Sequence, residues 1–349
     1  MKGLVFLGDR KIELLEFPDP SPEPGYVVLE IKASGMCGTD LKYYRAPSSD
    51  RISASLGHAG LTIAGHEPCG VVVAVGAGVP KSQAWAGMRV MQHHYRGCFA
   101  CPQCASGWTQ LCDEGVAEVY GATGHGAHAK YFKCPARTLV ELPAELSFEA
   151  GAAISCGTGT AWGALRRLQA QGDHTIAVFG QGPVGLSATM LASAMGLSVI
   201  AIDISVDRLE RAKEFGAQHV INPSNLCPIE AIKSLTRGKG ADLSIDASSS
   251  PIARQQAVRC LRSWGRACFV GEGGDVTLDV SSDLLRRQIS LLGSWTFSLS
   301  EQRYCAEFVA KRGLDLGRLF TDRWSLEEGR QAYESFDRQS GGKGVICPA

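Results

Sequence analysis

The stretch from Thr175 to Asp203 leaves this chain few folds to choose from. Thr175-Ile176-Ala177-Val178-Phe179 is a continuous apolar run of strand length. Gly180-Gln181-Gly182-Pro183-Val184-Gly185 follows at once, then a helical stretch from Leu186 to Met195 that Gly196 ends. Ser198-Val199-Ile200-Ala201-Ile202-Asp203 reads as the next strand. Strand, glycine turn, helix and strand make one crossover unit, and such a unit implies a parallel strand pair. The glycines allow a tight turn and let the backbone approach a pyrophosphate seated on the helix N-terminus. Asp203 falls where an acid takes the adenosine ribose hydroxyls, and its charge repels a 2′-phosphate, so NAD is expected rather than NADP. The string alone is weak among 41 glycines; its context gives it weight. Arg208 lies either along the adenine or on a helix surface.

The alternation continues beyond this unit. Asp207 to Phe215 is an amphipathic helix stopped by Gly216, and Leu243–Asp246 and Ala267–Gly271 are further strands. Repeated strand–helix–strand order predicts an α/β fold with a doubly wound parallel sheet. The first 150 or so residues differ. Val27–Ala33 alternates like a strand and Cys69–Gly76 is a second strand bounded by glycines, among glycine- and proline-rich loops, so a mostly β domain is expected there. Gly344-Val345-Ile346-Cys347 is a short strand that can return to that first domain. The expected division is 1–156, 157–295 and 296–349.

The 349 residues suffice for two cores. Lysine plus arginine and aspartate plus glutamate both number 35, so there is no electrostatic footprint for nucleic acid. No run of about 18 apolar residues suggests a membrane span. The opening Met1–Asp9 lacks a secretory pattern, and a cytoplasmic protein is expected. Thirteen cysteines in a reducing compartment read as metal ligands where they cluster. Cys98, Cys101, Cys104 and Cys112 form one short run whose thiolates can complete a closed, structural tetrahedral zinc shell. Three other segments hold zinc-type ligands: Cys37, Gly65-His66-Glu67 and Cys156. Two cysteines and a histidine with water in the fourth position make the open shell of an alcohol-oxidising zinc.

Cys37, Gly65-His66-Glu67, the four-cysteine lobe, Cys156 and the glycine string occur in an order that resembles the zinc-dependent medium-chain alcohol dehydrogenases. The resemblance covers essentially the whole chain. It is nearest the threonine/polyol dehydrogenase-like branch, through Val90–Tyr95 before the lobe and through Gly271–Gly274 with Gly293-Ser294-Trp295. It implies a GroES-like catalytic domain carrying the zinc lobe, a Rossmann-type NAD domain, and two Zn2+ per chain. Cys37, His66 and Cys156 would bind the catalytic zinc. Glu67 would lie close enough to enter its shell, and Asp40 would orient His66. Thr39 matches the hydroxyl that receives the alcohol proton. Thr160 matches a residue packed on the nicotinamide, Val270 falls in the cofactor-binding set, and Lys343 matches a basic residue near the cofactor phosphates. His94 takes a substrate-facing position, where a polar side chain suits a hydroxylated substrate. Trp295 and Phe297 are candidates for the same pocket or for a subunit interface.

The chain departs from the branch in two places. Sorbitol- and threonine-type relatives commonly carry a carboxylate where Cys156 stands. Many relatives carry a proton-relay histidine where Lys42 stands, and a protonated lysine cannot accept a proton. The expected activity is interconversion of an alcohol, secondary or hydroxylated, with its carbonyl. Threonine or polyol dehydrogenation is the alternative, and a non-catalytic NAD(H)-binding or redox-sensing relative is another. The resemblance further implies a homotetramer or homodimer. Loop 43–64 is expected to shape the pocket entrance. No role is derived for His58, His93, His125 or His128. Cys69, Cys134, Cys227, Cys260 and Cys268 are expected to be buried small hydrophobes.

Overall fold

The protein is represented by a computed structural model that describes residues 1–50, 61–116, 118–338 and 342–348. Its contacts divide the chain into Met1–Cys156 with Ser298–Ala349, and Gly157–Phe297.

The first unit is built on a seven-stranded sheet. Tyr26–Gly35 is its long central strand, pairing antiparallel with Pro68–Val75 and with Tyr131–Pro135. Val27, Leu29 and Ile31 alternate inward and are fully buried against Val72, Val90 and Phe132. Ile31 stands opposite Gly70, where any Cβ would run into the Glu30 carbonyl, so only glycine lets these strands close. The far end of the chain completes the sheet. Lys343–Ile346 pairs antiparallel with Tyr26–Gly35, setting Ile346 opposite Ser34, and runs parallel to Phe320–Trp324. The helix Gly329–Asp337 lies just before this strand and buries Tyr333.

The second unit is a six-stranded, all-parallel sheet. Its order is His219–Ile221, Ser198–Ile202, Thr175–Phe179, Ala241–Asp246, Leu261–Phe269 and Ser290–Gly293. Chain order reverses at Thr175–Phe179, the doubly wound arrangement that places a ligand crevice beyond that strand's end. The first crossover helix spans Pro183–Ala194, three residues earlier than the apolar pattern alone predicts. Pro183 explains the shift, because a first helical position needs no N–H and suits the fixed φ of proline. The helix Val206–Glu214 is capped by the Ser205 hydroxyl. Among the described residues, no helix is long and apolar enough to cross a membrane.

Candidate metal centre

Three chain segments of the first unit converge on one buried point. Cys37 follows the strand Tyr26–Gly35 and opens the helix Gly38–Arg45. His66 and Glu67 follow Gly65, whose φ of +91° turns the chain into Pro68–Val75. A side chain at Gly65 would also strike His128, so the turn demands glycine twice over. Cys156 follows the helix Phe148–Ile154, and the Ser155 hydroxyl donates to the Pro68 carbonyl at 3.0 Å, fastening this segment to the Glu67 segment.

One ligand atom from each of Cys37, His66, Glu67 and Cys156 lies within 4.8 Å of the others. The two sulfurs are 3.9 Å apart. A tetrahedral zinc with Zn–S of about 2.3 Å has an S···S edge of about 3.8 Å, so the spacing fits the metal. The chemistry fits as well. The shared sulfur contact holds Cys37 well below the ordinary thiol range and pushes Cys156 well above it. One sulfur therefore keeps its proton beside the other, and both could ionise only with a cation between them.

Asp40 sits behind His66. Its Oδ1 is 2.9 Å from His66 Nδ1, which turns Nε2 of the ring towards the ligand cluster. Burial opposes the Asp40 charge, but His66, His128 and the Cys37 N–H hold the carboxyl below its usual range. Burial likewise opposes a charged His66, and Asp40 and Cys37 outweigh it.

Lys343 differs from its expected place at the cofactor phosphates. It is 2% exposed, with Nζ 2.7 Å and 2.6 Å from the two Glu67 oxygens and 2.9 Å from the Met36 carbonyl. Burial raises the Glu67 carboxyl to about 8, although Lys343 opposes the rise. The physical reason is the register of the last strand, which inserts Lys343 beneath the Cys37–Glu67 cluster.

His94 is buried, and its Nδ1 donates to the Ser155 carbonyl at 3.1 Å. Its ring lies 5.2 Å from that of His66, and burial keeps it neutral by lowering its pKa well below the ordinary histidine value. Thr39 is half-buried at the start of its helix, and Lys42, one turn on, is exposed. Residues 51–60 of loop 43–64, with His58, lie outside the described residues. Cys69, Cys134, Cys260 and Cys268 are buried, whereas Cys227 is exposed at the start of the helix Pro228–Leu235. The local reason is that Cys227 flanks this helix rather than facing the core.

The lobe gathers Cys98, Cys101, Cys104 and Cys112, whose sulfurs also lie within 4.8 Å of one another. Sulfur pairs at 4.0 Å and 3.9 Å approach the same tetrahedral edge. Backbone N–H groups of Ala100, Cys101 and Cys104 point at sulfurs, which favours thiolates. Those of Cys101 and Ala100 help hold Cys98 down at about 6. His93 reaches the lobe through Thr109, with Nδ1 3.3 Å from its hydroxyl.

In the second unit, Gly182 caps the helix Pro183–Ala194 with no side chain on the first-turn N–H groups. A Cβ there would meet nothing within 4 Å, while one at Gly185 would run into the Gly180 carbonyl. The turn is thus tight on one side and open on the other, as a phosphate cradle requires. Asp203 takes the Gln181 N–H at 2.6 Å and the Ser205 N–H at 2.9 Å, which aims it across the turn. Arg208 lies 3.9 Å from Asp203. Thr160 is buried in the helix Gly157–Arg167, the Val270 N–H is spent on the Asp246 carbonyl, and Trp295 is 47% exposed. Phe297 is fully buried.

Residues 23–144 match the alcohol dehydrogenase GroES-like domain family, and residues 183–311 match the zinc-binding dehydrogenase family. An uncharacterized zinc-type alcohol dehydrogenase-like protein of Escherichia coli K12 is 36% identical over 97% of this chain and 96% of its own. The chain belongs to the zinc-type alcohol dehydrogenase family. As a member it is a zinc-dependent oxidoreductase with alcohol dehydrogenase chemistry. A Bacillus subtilis sorbitol dehydrogenase is 32% identical over 96% of this chain and 93% of its own. Among solved structures, an alcohol dehydrogenase from Thermus sp. ATN1 superposes with a TM-score of 0.89 at 27% identity over the full length of both chains.

Sequence reasoning assigned no role to His128 and did not single out Ser34 or Tyr333, all of which stand directly behind this site. His128 and Tyr333 are 205 residues apart. No local spacing could have linked them.

Proposed function

We propose that this dehydrogenase uses NAD to interconvert a hydroxylated secondary alcohol of the polyol class with its ketone. The convergence of Cys37, His66 and Cys156 beside a Glu67 held by Lys343 carries the reading. Bound there, zinc would supply the Lewis acidity that eases loss of the hydroxyl proton, and NAD would accept the hydride from the carbinol carbon. The secondary alcohol and oxidised NAD become the ketone, NADH and one proton.

The chain's own residues do the rest. Cys37, His66 and Cys156 hold the metal, and Asp40 fixes the ring of His66. Lys343 holds Glu67 at the edge of the cluster, and a zinc held by Cys37, His66 and Cys156 would polarise the substrate oxygen. Thr39 takes the hydroxyl proton at its Oγ1. Because Lys42 cannot accept it, the proton continues to water, to the cofactor ribose or to another histidine. Neutral His94 offers a polar wall suited to a second substrate hydroxyl, and Trp295 is a further pocket candidate. Gly180, Gly182, Pro183, Val184 and Gly185 seat the pyrophosphate, and Asp203, a carboxylate at the ribose position, favours NAD over NADP. Thr160, Val270 and Arg208 complete the cofactor set.

The similarity to a sorbitol dehydrogenase supports the polyol class. We further assign a second zinc to the four-cysteine lobe, a cytoplasmic location, and a homotetramer or homodimer as the working assembly. The test is NADH formation across sorbitol, 2,3-butanediol, 2-propanol, an aromatic alcohol and threonine, with and without chelator, beside a zinc count. Polyol turnover that chelator abolishes, with two zinc ions per chain, is expected. Normal NADH binding with no turnover on any alcohol would replace this reading with a non-catalytic one. Preferred turnover of threonine would move the substrate class.

A further inference from the structure

Behind the metal centre runs a chain of buried hydrogen bonds from one strand to a helix near the end of the sequence. The Ser34 hydroxyl is 2.8 Å from His128 Nδ1, and His128 Nε2 is 2.7 Å from the Tyr333 hydroxyl. Tyr333 donates to Asp40 Oδ2 at 3.2 Å. Asp40 Oδ2 also accepts the Cys37 N–H at 2.8 Å, and Oδ1 faces His66 Nδ1 at 2.9 Å. Ser34, Asp40, His128 and Tyr333 are each fully buried.

The donors order themselves in one direction. Tyr333 has one proton, and it goes to Asp40. Its oxygen can therefore only accept from His128, which places the imidazole proton on Nε2. His128 Nδ1 must then accept from Ser34. Every O–H and N–H in the series points towards the Asp40 carboxylate, and in a low-dielectric interior such bonds reinforce one another.

We infer that Tyr333 and His128 are positioning residues for the catalytic metal. Their one-way hydrogen-bond chain clamps the Asp40 carboxylate against His66, so that the His66 ring keeps its metal-facing orientation. The inference rests on the assignment of Cys37, His66 and Cys156 as ligands. Among the described residues, Asp40 Oδ2 accepts from Cys37 and Tyr333 while Oδ1 faces His66, and Tyr333 is the partner that comes from the C-terminal return of the chain. The return segment thus supports the site twice, through Lys343 on Glu67 and through Tyr333 on Asp40. The Tyr333 ring is separately held by packing, with the Phe6 centroid at 4.8 Å and that of Tyr44 at 5.7 Å. Removing the hydroxyl alone therefore leaves the helix seated.

The experiment follows release of zinc from the full-length, zinc-loaded protein to a chromogenic chelator. Visible spectra are recorded in parallel after cobalt replaces zinc in the catalytic site. Tyr333→Phe should release catalytic zinc about tenfold faster and shift the cobalt ligand-field bands, with lobe zinc release unchanged. His128→Gln can still donate to Tyr333 and should fall between Tyr333→Phe and the parent. Parent release rates and an unchanged cobalt spectrum in Tyr333→Phe would overturn the inference, as would equal acceleration at both zinc sites. A parent protein with zinc in the lobe alone would instead remove the ligand assignment, so the two failures are distinguishable.

Discussion

The two cysteine-bearing clusters solve the same coordination problem in opposite ways. The lobe draws its four sulfurs from Cys98 to Cys112, a single loop, and steadies them with backbone N–H groups of that loop. The other cluster draws Cys37, His66, Glu67 and Cys156 from three distant segments, and side chains steady it: Asp40 behind His66 and Lys343 on Glu67. A site built from one loop is autonomous and closed. A site built from three segments depends on the whole sheet, and every supporting residue is a point at which chemistry can be tuned. The difference predicts that damage to the second cluster is read in activity and metal retention together, whereas the lobe behaves as a separate body.

The largest break should come from Cys37→Ser. The loss of one thiolate from a three-residue shell is expected to lower kcat/KM by roughly a thousandfold, given that metal-centred charge stabilisation supplies several kcal/mol. Far-ultraviolet circular dichroism should stay unchanged and the zinc count should fall by one, because the lobe does not share the ligand. A variant that loses both zinc ions would show that the clusters are not independent.

Lys343→Met tests the side-chain support directly. Removing one partner of a buried pair leaves the other uncompensated, and the cost is about 3–5 kcal/mol. Glu67 is 0% exposed, so water cannot rescue it. Denaturant unfolding should report that loss, and adding Glu67→Gln to Lys343→Met should recover a large part of it. A single variant as stable as the parent would mean that Glu67 simply takes up a proton and that the ammonium contributes little.

The same contrast explains what could be read from the sequence. The lobe was legible because its ligands are neighbours and two-residue gaps suit a closed shell. The glycine turn was legible because strand, turn, helix and Asp203 are consecutive. Cys37, His66 and Cys156 could be named by residue type and setting, and the fold brings them together. The contact of Lys343 with Glu67 was not legible because its environment is set by a strand register, Ile346 opposite Ser34, that pairs residues more than 300 apart in the chain. His128 and Tyr333 escaped for the same reason. Each looks like an ordinary core aromatic until the sheet closes. Pro183 was read as part of a loop, although a first helical position is where proline belongs.

Acid should separate the clusters next. Burial presses His128 down to about 4 from 6.5, with His66 adding to the effect and Asp40 opposing it. Between those values the unfolded chain binds a proton that the folded protein does not, so stability rises with pH across the window and falls on acidification. A shift of this size corresponds to about 3 kcal/mol lost between pH 6.5 and pH 4. Unfolding free energies measured across that range should show the slope in the parent and a shallower one in His128→Gln. Identical slopes would mean that His128 titrates in the fold much as it does in the open chain.

The smallest effect belongs to the edge of the lobe. Arg96 pairs with Glu118 at 2.9 Å across the short ribbon Tyr95–Arg96 and Glu118–Val119, and Arg96 stands two residues before the first lobe cysteine. Both side chains keep contact with solvent, at 32% and 22% exposure. A partly exposed pair of this kind contributes about 1 kcal/mol or less, and salt weakens it further. Arg96→Ala should therefore lower thermal stability by only a few degrees, and less at high salt, with lobe zinc release unchanged. If it accelerated that release severalfold, the lobe would depend on its ribbon in the way the other cluster depends on Lys343, and the contrast between the two sites would collapse into a difference of degree.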